Sequence, residues 1–234
     1  MSREDELRRN LAEVEDRVAT ACAAAGRSRD ELTLVVVTKT YPASDVALLA
    51  GLGVRDVGEN RHPEAGDKLT ELADLVDVPP RMHFLGGLQT NKAGAVTRYA
   101  DVVHSVDRAK LARSLSRGAE AAEREVGCLV QVDFDLGDPG RSGVAPAGVR
   151  ELADLVAELP GLRLDGLMTV APLDVPPRPV FDDLVALAGR VREDHPDAVV
   201  VSAGMSGDFE DAIAAGATHL RIGRSILGER PPLR

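Results

Sequence analysis

A closed (β/α)8 barrel is the fold this sequence predicts, and three observations predict it. Short apolar runs recur along the chain, each followed by a polar or glycine turn and a helical pattern. The runs are continuous rather than alternating, as in parallel strands buried on both faces. The 234 residues accommodate eight such units with no proline- or serine-rich linker to divide them, and barrels of this kind routinely run to about 200–250 residues as one domain. An open doubly wound sheet is the other architecture compatible with this order. One domain over residues 1–234 is expected.

The chain opens with an amphipathic helix over residues 4–25, capped at Gly26, before anything repetitive begins. The first two strands are read at 34–37 (LVVV) and 54–57 (VRDV), the next two at 82–85 (MHFL) and 102–106 (VVHSV). A helical pattern over 108–124 leads to the fifth strand at 129–134 (LVQVDF), and another over 147–158 leads to the sixth at 164–168 (LDGLM). The stretch LDVPPRP, Leu173 to Pro179, reads as a stiff loop over the barrel mouth, followed by a helix over 179–192. Strands at 198–201 (AVVV) and 219–222 (HLRI) complete the set. The glycines of GLGVRDVG, Gly51 to Gly58, follow a helix and precede a strand. A dinucleotide fold requires the reverse order, so they read as helix termination and a turn.

Composition excludes several functions. A formal charge of −10, with no tryptophan, two tyrosines and four phenylalanines, offers a polyanion neither a basic surface nor stacking platforms, so nucleic acid is not an expected partner. No run approaches the roughly 18 apolar residues of a membrane span. The opening MSREDELRRN is charged throughout and carries neither a signal nor a transit pattern, which leads us to expect a cytoplasmic protein. Cys22 and Cys128 are too few for a disulfide framework and read as buried small hydrophobes. His62, His195 and the cysteines lack metal-ligand spacing, so no zinc site is expected.

The working residues of such a barrel come from the C-terminal ends of its strands. Lys39 stands there after the first strand, in a chain that has only four lysines against 24 arginines. Burial lowers a lysine pKa and frees the amine to attack a carbonyl, which an arginine, always protonated, cannot do. After the seventh strand, SAGMSGDFEDAIAAG reads as a glycine-serine turn and a helix opened by Ser206. After the eighth, RIGRSILG repeats the arrangement, with Gly223 allowing close backbone approach. Each turn alone is ordinary helix capping. The pair occupies the loops where barrels frequently hold a phosphate. A lysine on strand one facing a phosphate cradle on strands seven and eight describes a pyridoxal phosphate site.

VVVTKTYP, VGENRHPEA, MHFLGGLQTNK, HSVDR, LVQVDFD, GLMTVAP, SAGMSGDFEDAI and HLRIGRSILGER stand in that order along nearly the whole chain. With them the sequence resembles the pyridoxal phosphate homeostasis proteins of the YggS/PROSC family, similar to the N-terminal barrel of alanine racemase and of fold-type III decarboxylases. The resemblance implies an internal aldimine on Lys39, Asn60 beside the cofactor, a phosphate cradle from Met205, Ser206, Gly223 and Arg224, and Arg221 facing the pyridine nitrogen. It also implies a non-catalytic carrier, monomeric or weakly dimeric, with apo PLP-dependent enzymes as the candidate recipients. Met82 replaces a tryptophan common in the family, Gly207 stands where many relatives have aspartate, and Arg141 occupies a loop where some carry lysine.

An amino-acid racemase or decarboxylase is the alternative. Racemisation requires an acid/base group on each face of the substrate, and Lys39 serves one. The opposing tyrosine of related racemases belongs to a domain not seen in this sequence, and the racemase pattern of a tyrosine four residues after the lysine is broken by Ala43. A Schiff-base aldolase would use Lys39 without pyridoxal. His83 and His104 read as hydrogen-bonded strand histidines rather than proton-transfer groups. Gln89, Asn91 and Lys92 read either as an entrance lining or as the opening of a helix, and Lys68, Lys92 and Lys110 are expected on solvated helical faces.

Overall fold

The computed structural model describes residues 2–135 and 140–228. Its strands β1 (Thr33–Val37), β2 (Asp56–Glu59), β3 (Arg81–Phe84), β4 (Val102–Val106), β5 (Val126–Gln131), β6 (Leu162–Met168), β7 (Val200–Ser202) and β8 (His219–Ile222) close in chain order into a parallel barrel. Closure is made by β8 on β1, with Leu220 opposite Leu34 and Arg221 opposite Val35. The open sheet is thereby excluded.

The surrounding helices are α1 (Arg3–Ala24), α2 (Ala43–Gly51), α3 (Glu64–Ala73), α4 (Ala93–Val96), α5 (Ala109–Ala121), α6 (Val149–Glu158), α7 (Pro177–Asp194), α8 (Phe209–Ala215) and α9 (Arg224–Leu227). α1 starts in a capping box: the Ser2 hydroxyl accepts the Asp5 N–H at 3.1 Å, and the Asp5 carboxylate accepts the Ser2 N–H at 3.0 Å. It ends as expected, with Gly26 at φ 68° and the Arg27 N–H donating to the Cys22 carbonyl at 2.9 Å. Leu7, Val14, Val18 and Cys22 form its buried face. α9 has only four residues, too few to cover the β8–β1 seam, and α1 fills that gap between α8, α9 and α2. Arg3 fastens it there, donating to Asp45 of α2 at 2.7 Å and to the Leu227 carbonyl at 3.0 Å.

Four strands depart from their expected positions by two or more residues at an end: β6 begins two residues before 164 and β7 two residues after 198, while β2 and β5 are displaced as a whole. β2 runs two residues later than 54–57, because Gly58 and Glu59 pair with His83 and Phe84 where a glycine turn was expected. β5 begins three residues earlier than 129–134, since Gly127 and Cys128 are paired with both β4 and β6. In both cases a glycine that reads as punctuation in sequence lies within a strand of the closed sheet. α7 begins at Pro177, where a missing N–H costs nothing, so the loop after β6 is shorter than LDVPPRP suggested. Leu173 on that loop is 96% exposed.

Strand alternation sorts the side chains into two populations. Val36, Val57, Met82, Phe84, Val103, Cys128, Leu167, Val201, Leu220 and Ile222 join the large core between barrel and helices, each worth about 1.5–3 kcal/mol for a fully buried Val, Leu, Ile, Phe or Met side chain. Val102, Leu129 and Met168 form a separate apolar cluster with Val170 and Val200. His83, Ser202 and Arg221, flanked in sequence on both sides by members of the large core, and His104, which follows Val103, are also buried. The barrel interior is therefore part apolar and part polar, and its polar groups require partners.

Candidate functional site

The strand ends β7, β8, β1 and β2 are consecutive neighbours in the barrel. They gather Met205 and Ser206, then Arg221, Gly223 and Arg224, then Lys39, and finally Asn60 into one arc of the mouth. Residues scattered through the chain are brought together by closure alone. A side-chain carbon added at Gly223 would lie 2.9 Å from the Val37 carbonyl oxygen, so the end of β8 presses on the strand that delivers Lys39.

Lys39 is half-buried and sits on a tightly determined turn. The Thr38 carbonyl accepts the Tyr41 N–H at 3.1 Å and the Lys68 ammonium at 2.8 Å, while the Thr38 N–H donates to the Gly58 carbonyl at 2.9 Å. Thr40, directly after Lys39, has φ 72°. A β-branched residue in the left-handed region carries strain of about 1–3 kcal/mol, and such strain concentrates at functional sites.

Lys68 is not on a solvated helical face. It reaches inward from α3 into a salt bridge with Glu59, which is 2% exposed and also accepts the Thr38 hydroxyl at 2.7 Å. The signal was in the helix: Lys68 shares a face with the buried Ala65 and Leu72, three and four residues away. Lys110 is exposed as expected, and Lys92 is half-buried with its ammonium 3.5 Å from the His62 carbonyl. Gln89 precedes a short 3-10 turn, Thr90–Lys92, so this segment opens a helix.

On β7's loop, Ser206 is not the helix cap. α8 starts at Phe209, Asp208 precedes it, and the Asp208 carboxylate accepts the Met205 N–H at 2.6 Å. That bond closes the turn and occupies the Met205 amide. Burial nevertheless raises the Asp208 pKa, outweighing this hydrogen bond and the charge of Arg221. Among the described residues nothing accepts from the amides of Ser206, Gly207, Gly223 and Arg224, and nothing pairs with the Ser206 hydroxyl. Glu210 points away, to Arg17 of α1.

Arg221 is buried, 6% exposed, and donates from Nη1 to the Ser202 hydroxyl at 2.6 Å and from Nη2 to the Thr169 carbonyl at 2.8 Å. Both acceptors are neutral. Burial lowers its pKa to about 10, against the opposing charge of Asp208, and it remains a cation at neutral pH. Asn60 lies at the end of β2 with its carbonyl where a side-chain carbon at Gly86 would have to be, at 2.0 Å. The β3 turn can pass Asn60 only as glycine. Arg141 is tied to Asp133 at 3.1 Å and to the Val170 carbonyl, so it serves the wall of the mouth.

Deeper in the barrel, His83 and His104 are hydrogen-bonded to one another at 2.8 Å, with Asp56 at one end and Ser202 at the other. They are strand histidines with partners, as expected, and lie within the barrel rather than at its mouth.

Residues 5–231 match the family described as alanine racemase, N-terminal domain. A pyridoxal phosphate homeostasis protein of Mycobacterium tuberculosis is 41% identical, over 97% of this chain and 94% of the relative. One from Escherichia coli is 37% identical over 97% of each. The structure of PipY from Synechococcus elongatus with PLP bound superposes with a TM-score of 0.82 at 31% identity, covering 95% of this chain and all of that one. The arc of strand ends and the continuity of these matches agree: the chain belongs to the pyridoxal phosphate homeostasis protein family, built on the alanine racemase N-terminal barrel.

Proposed function

We infer that this protein binds pyridoxal 5′-phosphate at the barrel mouth, anchored covalently by Lys39, and holds the cofactor for release without turning over an amino acid. The observation that carries the reading is the arc itself: a half-buried lysine on a strained turn, two turns with unengaged amides, and a buried arginine, on four adjacent strands. The relatives' names and the PLP of PipY support it.

The donor set suits the group. When bound, pyridoxal phosphate supplies an aldehyde that condenses with a primary amine and a ring that draws electrons from it. Lys39 contributes the amine. The Ser206 hydroxyl and the amides of Ser206, Gly207, Gly223 and Arg224 offer donors to the phosphate, with the exposed Arg224 guanidinium adding charge at the rim. Met205 closes the turn through its bond to Asp208, and Asn60 brings a side-chain amide from β2. Arg221 is assigned to the ring nitrogen. A cation there disfavours protonating that nitrogen, which weakens the ring as an electron sink and favours holding over carbanion chemistry.

The tyrosines support the same side of the argument. The Tyr41 hydroxyl donates to the Gly228 carbonyl at 2.8 Å, and Tyr99 lies beside His62 at 3.3 Å, so neither is placed as a base opposite Lys39. Long incubation with common amino acids, followed by chiral chromatography, is expected to give no racemisation or decarboxylation. Turnover that disappears in Lys39→Ala would establish the enzyme instead. A colourless protein that cleaves aldol substrates would establish the aldolase.

Cofactor titration followed by visible absorbance tests the site. Ser206→Ala is expected to weaken binding by about 0.5–1.5 kcal/mol if the hydroxyl makes an ordinary hydrogen bond, and by about 1.5–3 kcal/mol if it serves a charged phosphate. Equal affinity would move the phosphate elsewhere. Apo PLP-dependent enzymes are the recipients we assign, and the two buried free thiols suit a reducing cytoplasm.

A further inference from the structure

The barrel interior contains a continuous line of hydrogen bonds that the cofactor site does not account for. It runs from Arg221 Nη1 to Ser202 Oγ at 2.6 Å, from Ser202 Oγ to His104 Nδ1 at 3.1 Å, from His104 Nε2 to His83 Nδ1 at 2.8 Å, and from His83 Nε2 to Asp56 Oδ1 at 2.9 Å. It begins on β8 and crosses β7, β4 and β3 to reach the first residue of β2. Ser202 and both histidines are essentially inaccessible to solvent, so no water competes for these bonds.

The two ends fix the outer links, and one assignment of protons runs the same way along the links between them. A guanidinium has no acceptor, so Ser202 Oγ accepts from Arg221 and has one hydroxyl proton left to donate to His104 Nδ1. Burial, reinforced by the charges of Arg221 and Arg81, lowers the His104 pKa well below its ordinary value and holds it neutral. A neutral imidazole accepting at Nδ1 carries its proton on Nε2, which then donates to His83 Nδ1. His83 in turn donates from Nε2 to Asp56. Burial raises the Asp56 pKa, but the His83 hydrogen bond and the nearby charge of Arg81 help outweigh it, and the carboxyl lies below its ordinary range. In this arrangement every bond points the same way, from the cation at one end to the carboxylate at the other.

We propose that Asp56, His83, His104 and Ser202 are positioning residues for Arg221, a one-directional hydrogen-bond chain that transmits the charge of Asp56 to the guanidinium. The proposal rests on the reading that Arg221 faces the bound cofactor. Bonds aligned in this way polarise one another, and along the buried Ser202, His104 and His83 the effect is not screened by water, Asp56 at the far end being partly exposed. Arg221 thus acquires a distant anionic partner where the local acceptors are both neutral.

Two measurements on the full-length protein test it. In the cofactor-free protein, long-range ¹H–¹⁵N spectra of the histidine rings are expected to show His83 and His104 neutral at pH 7, each protonated on Nε2. A proton on Nδ1 of either ring, or a charged ring, overturns the chain whatever the fate of the cofactor reading. In the cofactor-loaded protein, Asp56→Asn removes the charge and keeps an acceptor for His83. It is expected to shift the cofactor absorbance maximum and change its affinity about threefold or more in the Ser202 background. The same substitution in Ser202→Ala should do neither, because the chain is cut, and Ser202→Thr should restore the response. An equal effect of Asp56→Asn in both backgrounds, or none in either, overturns the coupling. A wild type that binds no cofactor instead defeats the reading of the mouth, and the ring spectra still decide the chain.

Discussion

Lys39→Ala is expected to abolish the visible absorbance band of the cofactor-saturated protein and the covalent adduct recovered after borohydride reduction. The expectation follows from where the other lysines are. Lys68 is held in a salt bridge to Glu59, Lys92 reaches the His62 carbonyl, and Lys110 is exposed on α5, so Lys39 alone is delivered to the arc. Lys39→Arg should lose the band as completely. It preserves the positive charge and the length of the side chain, but a guanidinium stays protonated and forms no adduct with a carbonyl. The pair of substitutions separates covalent anchoring from electrostatics, and an unchanged band in either, with the adduct mass on the same peptide, would remove Lys39 from the site. Residual affinity in Lys39→Ala measures the phosphate turns by themselves, and combining it with Ser206→Ala should take that residue of binding away.

Much of this architecture was legible because it depends on periodic patterns. Continuous apolar runs gave eight strands, and two of them, at Val102–Val106 and His219–Ile222, stand at the expected residues. Among the displaced strands are those with Gly58 and Gly127, where pairing with both neighbours in a closed sheet placed the glycine inside the strand. The mouth was legible for a related reason: strand ends face one rim, so Lys39, Asn60, Ser206 and Gly223 could be placed from order alone. Contacts across the barrel were not. The partnership of His83 with His104 is set by the register of β3 on β4, and that of Arg221 with Ser202 by β8 lying beside β7. No spacing along the chain encodes either. Ser206 looked like a helix cap because serine commonly is one, yet Asp208 closes the turn two residues later, and that bond becomes visible only with the backbone in place.

The largest stability loss is expected from Lys68→Met, about 3–5 kcal/mol, the range for removing one partner of a buried ion pair. Glu59 is 2% exposed, and its carboxylate accepts from the Lys68 ammonium and the Thr38 hydroxyl. Without Lys68, the buried carboxylate loses its ammonium partner and keeps the Thr38 hydroxyl, and the Thr38 carbonyl keeps the Tyr41 N–H. Chemical denaturation should therefore show a lower midpoint with little change in slope. Glu59→Gln combined with Lys68→Met should be less destabilised than Lys68→Met alone, because the charge stranded by the first change is removed by the second. If the double substitution is as damaging as the sum of the two, the ion pair is not what the cluster contributes. The functional consequence lies one residue away: Thr38 carries the turn that presents Lys39, and Thr40 holds φ 72° only while that turn is fixed from both sides. Lys68→Met should accordingly weaken cofactor binding as well as folding, and peptide mass spectrometry of the reduced wild type should find one adduct per chain, on Lys39, with none on Lys68. A stoichiometric adduct on Lys68 would mean that the salt bridge opens in the loaded protein and that this lysine serves as a second amine beside the first.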